Sequence, residues 1–133
     1  MVKKTLVTTA IESTWPENKD NIIFLGSWGL PYIKKNTLSP LNFEVVPYHW
    51  DDRKKLKKDY IDLEIIYESY LSYISDELNK IHKTNFTKRF WRIFIGPWLY
   101  TSIQVLFDRW SMLKIVTSKY GNLNINLIEN NKT

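Results

Sequence analysis

FEVVPYHWDDRKKLKKDY, Phe43 to Tyr60, contains a strand, a stop and a helix start in one run. Phe43 to Val46 are β-branched or aromatic apart from Glu44, which favours a strand. Pro47 has no N–H to give to a sheet and ends that strand. Two carboxylates follow. Asp51 is the expected N-cap, and Asp52 is well placed against the positive end of the helix dipole. Beyond them Leu56, Tyr60, Leu63, Tyr67, Tyr70, Ile74, Leu78 and Ile81 recur every three or four residues. That stripe predicts a helix from Asp52 to about His82.

The flanking sequence supplies the rest of an α/β pattern. Upstream, TLVTTA (Thr5 to Ala10) and NIIFLG (Asn21 to Gly26) are short, β-rich runs that read as buried strands. The segment from Ser27 to Asn42 is irregular, with one helical turn expected near Tyr32 to Lys35. Downstream, helical sequence resumes near Thr87. Gly96-Pro97 is expected to split it into a short helix, a kink and a second helix from Pro97 to about Tyr120, with Gly121 as its C′ residue. NLNINLI, Asn122 to Ile128, alternates Leu123, Ile125 and Leu127 with asparagines and reads as a fourth strand. The order β-β-β-α-α-β predicts a single α/β domain over residues 1–133. Its small, parallel sheet would comprise three N-terminal strands plus one C-terminal strand, packed with two long helices.

Composition narrows the chemistry. Hydrophobic residues make up 44% of the 133, enough for a packed core and too many for a disordered chain. With no cysteine, disulfide and thiolate chemistry are excluded, and only two histidines argue against a His-rich metal site. The N-terminal MVKKTLVTTAIE is interrupted by Thr8, Thr9 and Glu12 and lacks the pattern of a signal peptide. No run approaches the roughly 20 apolar residues of a membrane span. The expectation is a cytoplasmic protein, at most peripheral to the inner face of a membrane. The net charge of +5 is spread over scattered lysines. RKKLKK, Arg53 to Lys58, is the one basic run; it reads as a solvated helix face or as a contact for anionic lipid. No nucleic-acid-binding motif is present, and GxGxxG, P-loop, GxSxG and HExxH are absent.

Three strand tips carry the polar chemistry: TTA at Thr8 to Ala10, LGSW at Leu25 to Trp28, and PYHWDDR at Pro47 to Arg53. Parallel strands would bring these tips to one edge, where open α/β sheets bind ligands. The ten residues without a helix between the first two strands would also serve an antiparallel pair, which would put the second tip at the opposite edge. His49 is the candidate general base or anion contact, the alternative being a structural histidine bonded to backbone. Asp51 and Asp52 are candidates to bind sugar hydroxyls or to contact a metal, or simply to cap the helix. Arg53, Thr9 and Trp28 complete the candidates at the tips. Arg89 and Arg92 share a helical face and suit a phosphate or carboxylate, unless the acids of the first helix take them. Trp91 and Trp98 read as core, and Asp108 and Arg109 as partners in inter-helix salt bridges. No metal site is expected.

LVTTAIESTWP, IIFLGSW, VVPYHWDDRKKLKKDY and RFWRIFIGPWLYTSIQVLFDRW together resemble, in the same order, the N-terminal part of a bacterial transferase family encoded in O-antigen and surface-polysaccharide loci. The resemblance runs from about Leu6 to Trp110. It implies a longer, glycosyltransferase-like enzyme with two Rossmann-type halves of a GT-B-type architecture. The N-terminal half would meet a sugar or lipid-linked glycan acceptor. A C-terminal half would hold the nucleotide-sugar donor, leaving this chain without a cofactor and inactive by itself. The predicted first helix also points to a longer protein. At about 45 Å it is long beside the roughly 14 Å radius of gyration of a compact chain this size. The other function class is a non-catalytic module that binds an anionic glycan, a lipid head group or a protein.

Overall fold

A computed structural model describes residues 3–17, 20–30 and 43–127. The chain divides into two compact units. The first comprises Met1–Tyr48 with Ser111–Thr133, the second His49–Trp110.

The described residues of the first unit contain three short strands: β1 (Thr5–Val7), β2 (Ile22–Phe24) and β3 (Phe43–Val45). Their order in the sheet is β1-β2-β3 and both pairings are parallel. The predicted strands are present but shorter. In the register, Val7 lies opposite Phe24 and Phe24 opposite Val45, so all three strands end at one level. Among the described residues, the link from β1 to β2 contains one 3₁₀ turn, Glu12–Thr14. It still spans enough residues to return the chain for a parallel pairing.

Alternation along the strands builds two apolar layers. Leu6, Ile23, Leu25 and Val46 pack with Met112 and Val116, flanked by Tyr48, Tyr120 and Leu123. Val7, Ile22 and Phe24 pack with Trp15 on the other face, flanked by Leu30 and Phe43. Each fully buried aliphatic or aromatic side chain contributes about 1.5–3 kcal/mol. The expected C-terminal strand is reduced to one parallel bridge within the described residues. Asn124 donates its N–H to Lys4 O at 3.0 Å and accepts from Leu6 N at 2.8 Å. Ile128 and the expected turn at Tyr32 to Lys35 lie outside the described residues.

Two long helices follow: α1 (Arg53–His82) and α2 (Lys88–Tyr120). The cap of α1 is Asp52, not Asp51. Asp52 Oδ1 accepts from Lys54 N at 2.9 Å and Lys55 N at 3.2 Å. Asp51 belongs to the preceding 3₁₀ turn, His49–Asp51. The buried line of α1 is Asp59, Leu63, Tyr67, Leu71 and Ser75, a four-residue spacing that the three-four stripe only partly matches. Tyr60, Tyr70 and Ile81 of that stripe are exposed.

The predicted break at Gly96-Pro97 does not occur; Pro97 sits inside an unbroken α2. Packing holds the turns on both sides of it. Ile95, Leu99, Tyr100 and Ile103 join Tyr67, Leu71 and Ile74 in one cluster. Gly96 permits the approach, since a Cβ there would lie 2.7 Å from the Tyr67 hydroxyl. The turn between the helices closes on Asn79. Its Oδ1 accepts from Phe86 N at 3.0 Å, Thr84 Oγ1 at 3.0 Å and Trp91 Nε1 at 3.1 Å. Its Nδ2 donates to Phe86 O at 2.8 Å. Lys83 adopts the left-handed C-cap conformation at φ 54°, and Gly121 ends α2 at φ 68° as expected of a C′ glycine.

Glu44, on β3, is held by three partners. Lys4 Nζ donates at 2.6 Å, Tyr120 Oη at 2.5 Å and Lys119 Nζ at 3.5 Å. The Lys4 and Tyr120 hydrogen bonds dominate and bring its pKa from 4.5 down to about 2.

Two stability predictions follow from these contacts. Asp52→Ala should cost about 1 kcal/mol in urea unfolding, and Asp51→Ala only a small fraction of that, because only Asp52 caps α1. The depressed carboxyl of Glu44 stabilises the fold fully above its unfolded value of 4.5, and that contribution is lost as pH falls toward 2. The stability gap between wild type and Glu44→Gln should therefore narrow below pH 4.5 and close near pH 2. Its size is reduced by solvent screening, since the carboxylate is 43% exposed.

Candidate functional site

Parallel pairing makes the carboxyl edge of the sheet a real feature of the first unit. β1 leads to Thr8 and Thr9, β2 to the 3₁₀ turn Ser27–Gly29, and β3 to Pro47 and Tyr48. Trp28 donates its indole N–H to Thr8 O at 3.2 Å. Its ring stands edge-on to Tyr48 at 6.4 Å between centroids and lies across Gly26, where any Cβ would strike it at 2.1 Å. Trp28 as a whole remains 37% exposed, so it offers a stacking surface at the strand tips. Thr9 is half-buried. Its hydroxyl accepts from Ile11 N at 3.3 Å and lies 3.4 Å from that of Thr14.

The second unit begins at His49 and carries the strongest titratable cluster. The 3₁₀ turn after β3 exists because Pro47 stops the strand and Asp52 starts the helix. It turns the His49 ring inward, where its side chain is fully buried. His49 Nε2 lies 3.0 Å from Asp108 Oδ1 on α2. Trp50 covers the imidazole at 4.5 Å and stacks on Phe107 at 6.3 Å. Trp50 Nε1 in turn donates to Asp59 Oδ2 at 3.0 Å, and Lys55 forms an ion pair with the same carboxylate. Burial pushes the Asp59 carboxyl up, but the hydrogen bonds from Lys55 and Trp50 outweigh it and hold the group below its ordinary value. The Asp108 carboxylate is 14% exposed, and its second oxygen lies 3.7 Å from Arg109 Nη1. A carboxylate fixed on an imidazole can orient that ring, share its proton and act in acid–base chemistry.

The other candidates are distributed differently. Asp51, Arg53 and Arg89 are exposed, and Asp52 is committed to the helix cap. Arg92 is paired with the first helix: its guanidinium grips Glu68 through both oxygens, the longer bond being 2.8 Å. Lys88 adds an ion pair at 3.0 Å, and the two cations, Arg92 foremost, bring the Glu68 pKa down to about 2. Trp91 is core, as expected, but Trp98 is 67% exposed. Asp108, read as an inter-helix salt-bridge partner, instead meets His49. Asp59 carried no sequence signal beyond its place near the basic run. Among the described residues, no three His, Asp or Glu side chains come together as a metal site, and no helix is long and apolar enough to cross a membrane.

Comparison with known proteins gives one informative match. No curated protein and no solved structure matches the chain. The model of one family, described as the LIC12162 family transferase, matches residues 4–133. That span covers nearly the whole sequence, and the chain belongs to the LIC12162 transferase family.

Proposed function

We propose that this chain is the N-terminal, acceptor-side part of a glycosyltransferase of bacterial surface-carbohydrate synthesis, one half of a GT-B-type enzyme. Membership in a transferase family supports group transfer as the reaction class. The observation that carries the reading is the pair formed by buried His49 and partly exposed Asp108. A glycosyl transfer needs an acceptor oxygen made nucleophilic. The hydroxyl attacks the anomeric carbon, the bond from that carbon to the phosphate of the activated donor breaks, and the hydroxyl proton passes to a base. Of the two members, Asp108 alone has an exposed edge, 14% against 0% for His49. Asp108 therefore takes the proton, and His49 is the positioning residue that fixes the carboxylate.

The other assignments follow from accessibility. Arg53 and Arg89 are exposed and can meet an anionic group, whereas Glu68 already occupies the fork of Arg92. Asp51 is exposed and can bind a hydroxyl. Thr9 and Trp28, at the carboxyl edge of the sheet, offer a hydroxyl and a ring face of the kind that sugars pack against. The nucleotide-sugar donor belongs, in this reading, to a second α/β half.

The test is transfer of labelled sugar from a panel of nucleotide-sugars by the full-length protein. Asp108→Asn should lower kcat by about a hundredfold or more, the range of a lost general base. His49→Gln should lower it less. The double variant should be no slower than Asp108→Asn, because the pair acts as a unit. Undiminished turnover of Asp108→Asn, in a variant that folds normally, would remove the pair from the mechanism.

A further inference from the structure

Asp59 is the one carboxylate in the buried line of α1, at a place where a leucine would extend the apolar stripe. Taking a charge out of water is costly unless partners meet it. The helix start does not need this acid, because Asp52 already caps α1 two turns earlier. Its presence is explained by what it holds.

Lys55, one turn earlier, forms an ion pair with Asp59, and Trp50 Nε1 donates to it at 3.0 Å. The indole of Trp50 faces both segments of the His49–Asp108 pair. Its centroid lies 4.5 Å from the His49 ring and 6.3 Å from the Phe107 ring, which it meets at only 21°. Phe107 is the residue before Asp108, and the Lys55 ammonium sits 5.3 Å from its centroid. His49 and Asp108 are 59 residues apart, so packing alone sets the 3.0 Å between them. An indole that merely packed could change rotamer. One bonded at its N–H cannot do so without leaving a buried donor and a buried acceptor unmatched.

We propose that Asp59 and Trp50 form a clamp that positions the His49–Asp108 pair and keeps water from the imidazole, whose side chain is fully buried. Asp59 is a positioning residue: it acts on the pair only through the indole. The effect of the clamp on turnover rests on the transferase reading; its effect on the imidazole does not.

The experiment is carbethoxylation of the full-length protein with diethyl pyrocarbonate, read by peptide mass spectrometry, beside kcat and KM for sugar transfer. Exposed His82 is the internal standard. In wild type His49 should react about a hundredfold more slowly than His82, because reagent reaches it only when the site opens. Asp59→Leu removes the acceptor, and Trp50→Phe removes the donor but keeps a ring. Each should speed the reaction of His49 about tenfold and lower kcat about tenfold, with KM little changed. The double variant should be no worse than either, since both break one bond. Asp59→Asn keeps an oxygen for the indole and should recover most of the protection and of kcat. An unchanged rate at His82 shows that the hairpin is intact. Undiminished protection of His49 in Asp59→Leu and Trp50→Phe overturns the proposal. So does a fall in kcat without loss of protection, since Asp59 would then act elsewhere. Asp59→Asn as damaging as Asp59→Leu overturns it in favour of the charge over the bond. If Asp59→Leu does not fold, Trp50→Phe and Asp59→Asn decide the matter. If no donor is turned over, the protection measurement still decides it. Loss of protection in Asp59→Leu together with full turnover of Asp108→Asn would uphold the clamp and sink the base assignment alone.

Discussion

The change from strand to helix between Val46 and Arg53 is the constraint on which the other features rest. Val46 is still core, and Asp52 is already a cap. Between them the chain must end a ladder, reverse its hydrogen-bonding habit and begin a helix whose first N–H groups have no intrahelical partner. Pro47 settles the first requirement and Asp52 the last. The 3₁₀ turn His49–Asp51 fills the gap, and it directs one imidazole inward and one carboxylate outward. His49 is buried because the backbone leaves it little choice, and a buried imidazole needs a polar partner. Asp108 supplies that partner from a residue distant in sequence.

The fold was legible where local chemistry is decisive. Three β-rich runs, the helical stripe of α1 and the glycine at position 121 were readable because propensity, periodicity and positive φ are properties of neighbours. Parallel pairing was expected but could not be read from the β1–β2 link, in which the described residues form a three-residue 3₁₀ turn, Glu12–Thr14. The cap was misplaced by one residue because Asp51 and Asp52 are chemically equivalent in sequence and differ only in backbone angle. The break at Gly96-Pro97 was expected from local cost alone, about 3 kcal/mol for an interior proline. Tertiary packing against Tyr67 and Leu71 outweighs it. Within the described residues the fourth strand shrank to one bridge because asparagines fill its alternate positions, and asparagine is a poor strand former.

The candidate site divides along the same line. His49, Thr9 and Trp28 stood out because strand tips of an α/β sheet are where polar chemistry collects. What each side chain touches was not legible. Arg92 was visible as a cation, but not as the partner of Glu68. Asp108 was visible as an acid, but its pairing depends on where two distant segments come together. Trp98 was assigned to the core by its size and hydrophobicity, yet the apolar stretch around it covers more of α2 than α1 can shield. That excess of greasy surface is the feature on which sequence and structure agree without explaining each other.

Asn79 shows how little chemistry separates a closed hairpin from a frustrated one. Its oxygen receives three donors while its nitrogen faces the Phe86 carbonyl at 2.8 Å. Aspartate has nearly the same outline, but it would set a second oxygen against that carbonyl and turn one attraction into a repulsion. Spontaneous hydrolysis of this single amide, a slow reaction of ageing proteins, would thus loosen the hairpin without altering its shape. At this position molecular wear would register as polarity before it registered as form.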